Sequence, residues 1–337
     1  MLWLEQHWYR ISPLHLLLWP LSLLFAAVSS LRRFGYRSGL FAVQRLPVPV
    51  IIVGNISIGG TGKTPLVIWL ANWLCDRGYQ PGIVCRGYRS GGRVPRQVRP
   101  DSDPRIAGDE AVLLARRSAC PVWAGIDRAR TAQTLLIEHP HCNIIISDDG
   151  LQHYALARDV EIALIDGERG FGNAMLLPAG PLREPLERHS EIDALIINGG
   201  ALFPRDTLPP DVPAFDMRLS GRNFYDILNP QRIAAPEDFT ARSVHAVAGI
   251  GNPNRFFNHL QLLGISFSAH PFPDHHPFEA ADLAFALEDA VIMTEKDAVK
   301  CERFCNENHW ALRVDAEVDE ALGELLLRKL KTGRYGH

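Results

Sequence analysis

Val48-Pro-Val-Ile-Ile-Val-Gly-Asn-Ile-Ser-Ile-Gly-Gly-Thr-Gly-Lys-Thr64 reads as a buried strand, a glycine-rich turn and the first residues of a helix. A phosphate-binding loop needs glycines so that successive backbone N–H groups curl toward phosphate oxygens. It also needs a Lys for the β- and γ-phosphates and a Ser or Thr hydroxyl for Mg²⁺. Gly59, Gly60, Gly62, Lys63 and Thr64 supply these parts, and the apolar run Leu66, Val67, Trp69, Leu70, Trp73 and Leu74 continues the helix. Ser57 stands where the common pattern places its first glycine, and Ser57, Ile58 and Thr61 complete the loop.

Working outward, the 337 residues suit two domains of ordinary size, and 47% hydrophobic content is ample for packed cores. Thirty-five basic against 38 acidic residues leave a net charge of −3, which argues against a dedicated nucleic-acid binder. The six cysteines are dispersed, so no disulfide or zinc site is assigned and a reducing compartment fits.

Residues 11–31 contain no Asp, Glu, Lys or Arg and are long enough to span a bilayer. A membrane anchor, a cleaved signal peptide and a buried helix all fit the run itself. A nucleoside triphosphate loop argues against secretion, and Arg32, Arg33, Arg37 and Arg45 place the body of the protein on the cytoplasmic side of an anchor. A buried core helix is the alternative.

After the P-loop helix, residues 82–85 form a second strand. It runs into the basic, glycine-rich stretch Arg86-Gly-Tyr88 and onward to Arg93, where an α/β sheet places an anionic ligand or where a solvated loop lies. Asp109 precedes a helix-spaced run and fits both an N-cap and a carboxylate projected into a site. Residues 143–147 form a buried strand ending in Asp148-Asp149, as a Walker B element does; two such carboxylates are costly without a cation. Further strands fall at 160–165 and 194–199, separated by a Pro- and Gly-rich functional loop carrying Arg183 and Glu184. A polar, Pro-rich connection spans 206–240, with strand-like pieces at 215–219 and 224–228. The β–α rhythm then restarts with strands at 244–248, 265–269, 290–294 and 311–314 and a last helix at 318–331. Asp274, His275 and His276 lie between prolines; adjacent histidines point apart, so a base or base-orienting role suits one of them better than a metal site.

These pieces in order resemble the tetraacyldisaccharide 4'-kinases of lipid A biosynthesis. The matching stretches are Val53 to Pro65, Arg86-Gly-Tyr88, Gly108-Asp-Glu110, Asp148 to His153, Leu177 to Glu184, Gly249 to Pro253, Asp274-His275 and Met293 to Lys300. The resemblance implies an α/β protein with two α/β/α domains, the first a P-loop sheet, joined by a short β linker and preceded by a membrane-associated helix. The expected division is 1–35 for the anchor, 36–205 for the kinase domain, 206–240 for the linker and 241–337 for the second domain.

It further implies ATP and Mg²⁺ as cofactors, a lipid-linked disaccharide as acceptor and a seat on the cytoplasmic face of the inner membrane, with no nucleic acid and no obligatory protein partner. Residues 57–64 would hold ATP, with Lys63 catalytic. Thr64, Asp148 and Asp149 would hold Mg²⁺, with Glu184 near it. Asp109 would accept the sugar hydroxyl proton beside His275, and Arg86, Tyr88 and Arg183 would meet the acceptor. A membrane-surface P-loop ATPase switch is the alternative function, although such loops carry an additional lysine at the start, where Ser57 and Ile58 stand here. A nucleotide-binding module without turnover is a third, disfavoured by Asp109, Asp148 and Asp149.

Overall fold

The computed structural model describes residues 7–9, 14–87, 94–200, 203–285 and 288–332. Helix α1 (Leu14–Arg37) precedes β1 (Val50–Gly54), and the glycine-rich turn leads into α2 (Lys63–Cys75). Next come β2 (Pro81–Cys85), β3 (Arg96–Val98), α3 (Pro104–Ala107), α4 (Asp109–Arg117), β4 (Val122–Ala124) and α5 (Arg128–Glu138). Strands β5 (Ile144–Asp148), β6 (Val160–Asp166), β7 (Ala194–Asn198) and β8 (Ala214–Ser220) follow. The second unit holds β9 (Phe224–Asp226), β10 (Ile233–Ala234), β11 (Val244–Ala248), α6 (Pro253–Leu262), β12 (Ser268–Pro271), β13 (Ala290–Thr294), α7 (Glu295–Cys301) and β14 (His309–Leu312). The chain continues through β15 (Asp315–Val318) into α8 (Glu320–Thr332).

The nine-stranded sheet runs β15-β8-β7-β6-β1-β5-β2-β4-β3. Its central strands are parallel and read as near-continuous Ile/Val runs because helices cover both faces. Leu66, Leu70 and Leu74 of α2, Val112 and Leu114 of α4 and Leu322 and Leu326 of α8 pack on one face. Ala129, Ala132 and Leu135 of α5, with Leu151 and Leu182, pack on the other. Register places Val53, just before the glycine-rich turn, opposite Asp148. The two loops that leave the carboxyl ends of β1 and β5 are therefore neighbours. The second sheet runs β10-β9-β14-β13-β11-β12 with its own two apolar layers.

The division expected at 206–240 differs from this pairing. β8 pairs in parallel with β7 and belongs to the first sheet, whereas β9 and β10 belong to the second. Past β14 the chain crosses back. β15 pairs antiparallel with β8, and α8 buries its leucines on the first core. Two crossings, rather than one linker, join the units.

Helix α1 buries only His15, Ser22 and Gly35. Ser22 Oγ donates to the Leu176 carbonyl oxygen at 2.9 Å and accepts from Ala179 N–H at 3.0 Å, while Leu16, Leu17, Trp19, Leu24 and Leu31 point outward. A core helix does the reverse, so the buried-helix alternative is excluded. The helix is long and apolar enough to cross a membrane.

Candidate active site

The turn after β1 is built from local constraints. Gly59 (φ 118°) and Gly62 (φ 90°) take left-handed conformations that favour glycine. α2 begins at Lys63 with no side-chain cap at Gly62, leaving first-turn N–H groups for an anion. Ser57 needs no glycine: it bridges to Leu182 and does not have positive φ. Ile58 N–H donates to the Pro181 carbonyl oxygen at 2.8 Å and Arg183 N–H to that of Ile56 at 2.6 Å, so the 174–183 loop braces the turn. Lys63 Nζ lies 3.0 Å from Asn55 Oδ1 and 3.5 Å from Asp149 Oδ1.

Asp148 ends β5 and Asp149 follows with φ 49°. Burial pushes the Asp148 carboxyl well above the ordinary range, Glu110 adds to the rise, and Lys63 opposes it. Its Oδ1 is buried without a hydrogen-bond partner. At Asp149 burial acts in the same direction, but the charges of Lys63 and Arg183 hold the carboxyl at about 2. An unpartnered carboxylate oxygen beside an ionised one, facing a phosphate-type turn, fits Mg²⁺.

Among the described residues no three His, Cys, Asp or Glu side chains cluster as a metal cage. Asp148, Asp149 and Thr64 would therefore share the ion with phosphate oxygens and water. Glu184, expected beside the metal, is taken up elsewhere: its oxygens accept from Gln152 Nε2 at 2.7 Å and from the Tyr154 hydroxyl, with Arg188 3.5 Å away. Arg183, expected at the acceptor, bonds Asp149 at 2.9 and 3.1 Å.

Asp109 opens α4 and is buried. His275, with φ 58° in the second unit, brings Nδ1 to 3.2 Å from Asp109 Oδ2. Burial pushes the Asp109 carboxyl up, but the His275 hydrogen bond and the charges of Lys296 and Lys300 hold it at about 2. The same bond raises the His275 pKa. Lys296 ties this corner together, 3.1 Å from Glu110 and 3.2 Å from Asp274. The charge of Glu110 adds to the rise at Asp148, so the start of α4 lies near the end of β5. A cleft of about 1040 Å³ between the units is lined by Asp109, His275, Phe278, Lys300, Tyr225 and Arg117.

Arg86, exposed at the end of β2, is close enough to lower the pKa of Arg128 and His153. Arg128 is itself buried, donating to the Gly125 carbonyl oxygen at 2.5 Å and that of Asp148 at 3.3 Å. Tyr88 lies outside the described residues. Sequence reasoning gave no role to Asn55, Gln152 or Asn198. Asn55 and Gln152 fell inside stretches that carry the resemblance, but Asn198 looked like any residue ending a strand.

A phosphate-type turn, paired carboxylates and a buried carboxylate held from a second unit lie near the carboxyl end of one mainly parallel sheet; this is the design of a P-loop phosphotransferase. The family model for tetraacyldisaccharide-1-P 4'-kinase (LpxK) matches residues 14–331. Among curated relatives, the tetraacyldisaccharide 4'-kinase of Methylobacillus flagellatus is 51% identical over 97% of this chain and 96% of its own length. That of Dechloromonas aromatica is 49% identical over 98% and 97%. A crystal structure of LpxK from Aquifex aeolicus in complex with ATP superposes with a TM-score of 0.79 at 30% identity, covering 94% of this chain and 99% of that one. The chain belongs to the tetraacyldisaccharide 4'-kinase family.

Proposed function

We propose that this chain transfers the γ-phosphoryl group of ATP to the 4'-hydroxyl of a tetraacylated glucosamine disaccharide 1-phosphate, a step of lipid A biosynthesis, at the cytoplasmic face of the inner membrane. The observation that carries the reading beyond ATP binding is the Asp109–His275 contact across the two units. The carboxylate is placed to accept the proton of an acceptor hydroxyl, as the catalytic aspartate of a kinase does.

Lys63 and the first-turn N–H groups of α2 bind the β- and γ-phosphates. Mg²⁺, when bound, neutralises charge that develops between the phosphates. Thr64, Asp148 and Asp149 would hold it, and Arg183 keeps Asp149 ionised and oriented. Asp109 Oδ1 takes the hydroxyl proton as the new P–O bond forms and ADP leaves. His275 holds Oδ2, fixing the carboxylate's direction. Glu184 acts at one remove by orienting Gln152. The cleft admits the sugar, and Arg86 and Tyr88 serve the acceptor side.

Helix α1 seats the enzyme on the bilayer, its polar face on the protein and its leucines in lipid. Arg33 and Arg37 pair with Glu191 at the cytoplasmic end.

The test is the position of the transferred phosphate. After incubation with ATP and the disaccharide 1-phosphate, a phosphorus–proton correlation spectrum of the lipid product is expected to show a new phosphate on the 4' carbon. Attachment at another hydroxyl, or an unmodified lipid, refutes the assignment.

A further inference from the structure

Asn198 is a fully buried polar residue beside the phosphate turn that takes no part in the transfer step. Asn198 ends β7 and both ends of its carboxamide are committed. Nδ2 donates to the Thr61 carbonyl oxygen at 2.9 Å, inside the glycine-rich turn. Oδ1 accepts from Arg255 Nη2 at 3.0 Å, on α6 of the second unit, and the same nitrogen lies 3.4 Å from the Asn198 carbonyl oxygen. The fit is tight on both sides. A Cβ on Gly62 would lie 2.3 Å from Asn198 Nδ2, and one on Gly199 would lie 2.6 Å from Arg255 Nη2.

A second contact runs in parallel. A Cβ on Gly251 would lie 3.1 Å from Gly60 N, so the 249–253 loop rests on the turn itself, and Arg169 Nη2 donates to the Gly251 carbonyl oxygen at 3.0 Å.

We propose that Arg255 and Asn198 are positioning residues for the nucleotide, transmitting the docking of the second unit to the shape of the phosphate turn. In a trans peptide the C=O and N–H point in opposite directions. Holding the Thr61 carbonyl against Asn198 turns the Gly62 N–H to the opposite side of the turn, toward phosphate. A carboxamide suits position 198, since it donates to a carbonyl and accepts from a guanidinium at once. Nucleotide affinity then depends on Arg255 through its contact with Asn198, and by linkage nucleotide binding tightens the docking of the units by the same factor. The inference rests on the nucleotide-binding part of the kinase reading and deepens it.

The experiment is titration calorimetry of the full-length protein with a non-hydrolysable ATP analogue and Mg²⁺, paired with thermal unfolding in the absence of nucleotide. Arg255→Ala is expected to weaken binding about tenfold, the effect of losing one charge-assisted hydrogen bond, with Arg255→Lys recovering part of it. Asn198→Asp, which sets a carboxylate oxygen against the Thr61 carbonyl, is expected to lose at least as much. A merely structural role would lower the unfolding midpoint and leave the Kd of the folded protein unchanged, which overturns the proposal. If the unsubstituted protein binds the analogue and the variants bind equally, the proposal alone falls; if the unsubstituted protein does not bind it, the kinase reading falls too. Should Arg255→Ala fail to fold, Arg255→Lys and Gly251→Ala, which presses the 249–253 loop off Gly60, decide the question by the same Kd comparison.

Discussion

Replacing His275 by Ala removes the imidazole Nδ1 that lies 3.2 Å from Asp109 Oδ2. Asp109 is 5% exposed, so burial alone favours its protonated form, and His275, Lys296 and Lys300 together keep it ionised. The lysines remain in the variant, 3.9 Å away in the case of Lys300, and Asp109 stays a carboxylate at neutral pH. What is lost is one charge-assisted hydrogen bond, about 1.5–3 kcal/mol, or roughly 10- to 150-fold in kcat. The KM for ATP is expected to hold, because the phosphate cradle is untouched.

The pH dependence gives a sharper readout. Asp109 raises the His275 pKa, and the imidazolium in turn weakens Asp109 as a base. The unsubstituted enzyme should therefore speed up as pH rises through the raised His275 value, and this limb should vanish in His275→Ala. Stability moves oppositely. The His275 contribution is fully present below its unfolded value of about 6.5 and is lost as pH rises through the higher folded value. The assay is acceptor-dependent ADP formation from about pH 5.5 to about 9, spanning the histidine range. Superimposable pH profiles for the two proteins, or an unchanged kcat, would refute the pairing.

Asp148→Asn removes a buried charge with an unpartnered oxygen, so the thermal midpoint should not fall, while kcat should drop on the order of 100-fold or more through loss of a metal carboxylate. Glu295→Ala strips the largely buried Arg117 of a partner 2.5 Å away between the units while Asp315 remains; a denaturant titration should show a loss of about 1.5–3 kcal/mol, and Arg117→Met/Glu295→Met a smaller one. In α1, Ser22→Ala leaves the Ala179 N–H and Leu176 carbonyl oxygen unmet and should cost about 1–3 kcal/mol by calorimetry. Serines at Leu16, Leu17 and Leu24 should instead reduce co-sedimentation with vesicles and leave the midpoint unchanged.

The elements legible in the sequence are those whose signal is local. β1 and β5 are apolar runs ending in glycine and aspartate, and both stand where those runs lie. The sheet membership of β8, read as a strand-like piece at 215–219, and the strand β15 were obscured because both are half-exposed and pair with each other far along the chain. A hydrophobic pattern carries no record of such pairing, so the 206–240 stretch read as a linker and the return of α8 to the first core went unread. The same division holds in the site. Lys63, Asp148 and Asp149 sit in motifs whose residue types follow from phosphate and metal chemistry. The partnership of Asp109 with His275 came through family resemblance, and the structure supplies its contact. Glu184 drew attention as an acid in a functional loop, but Tyr154 and Gln152 fill its oxygens. Asn198 and Arg255 matter only through one another, which no single stretch displays.

The most direct measurement of the whole account is ATP turnover with and without the disaccharide 1-phosphate, run side by side for the unsubstituted enzyme and Asp109→Asn in detergent micelles. The expected result is ADP formation that depends on the acceptor in the unsubstituted enzyme and is lost in Asp109→Asn, with ATP binding intact in both. ATP hydrolysis indifferent to the acceptor, or full acceptor-dependent turnover in Asp109→Asn, would contradict it.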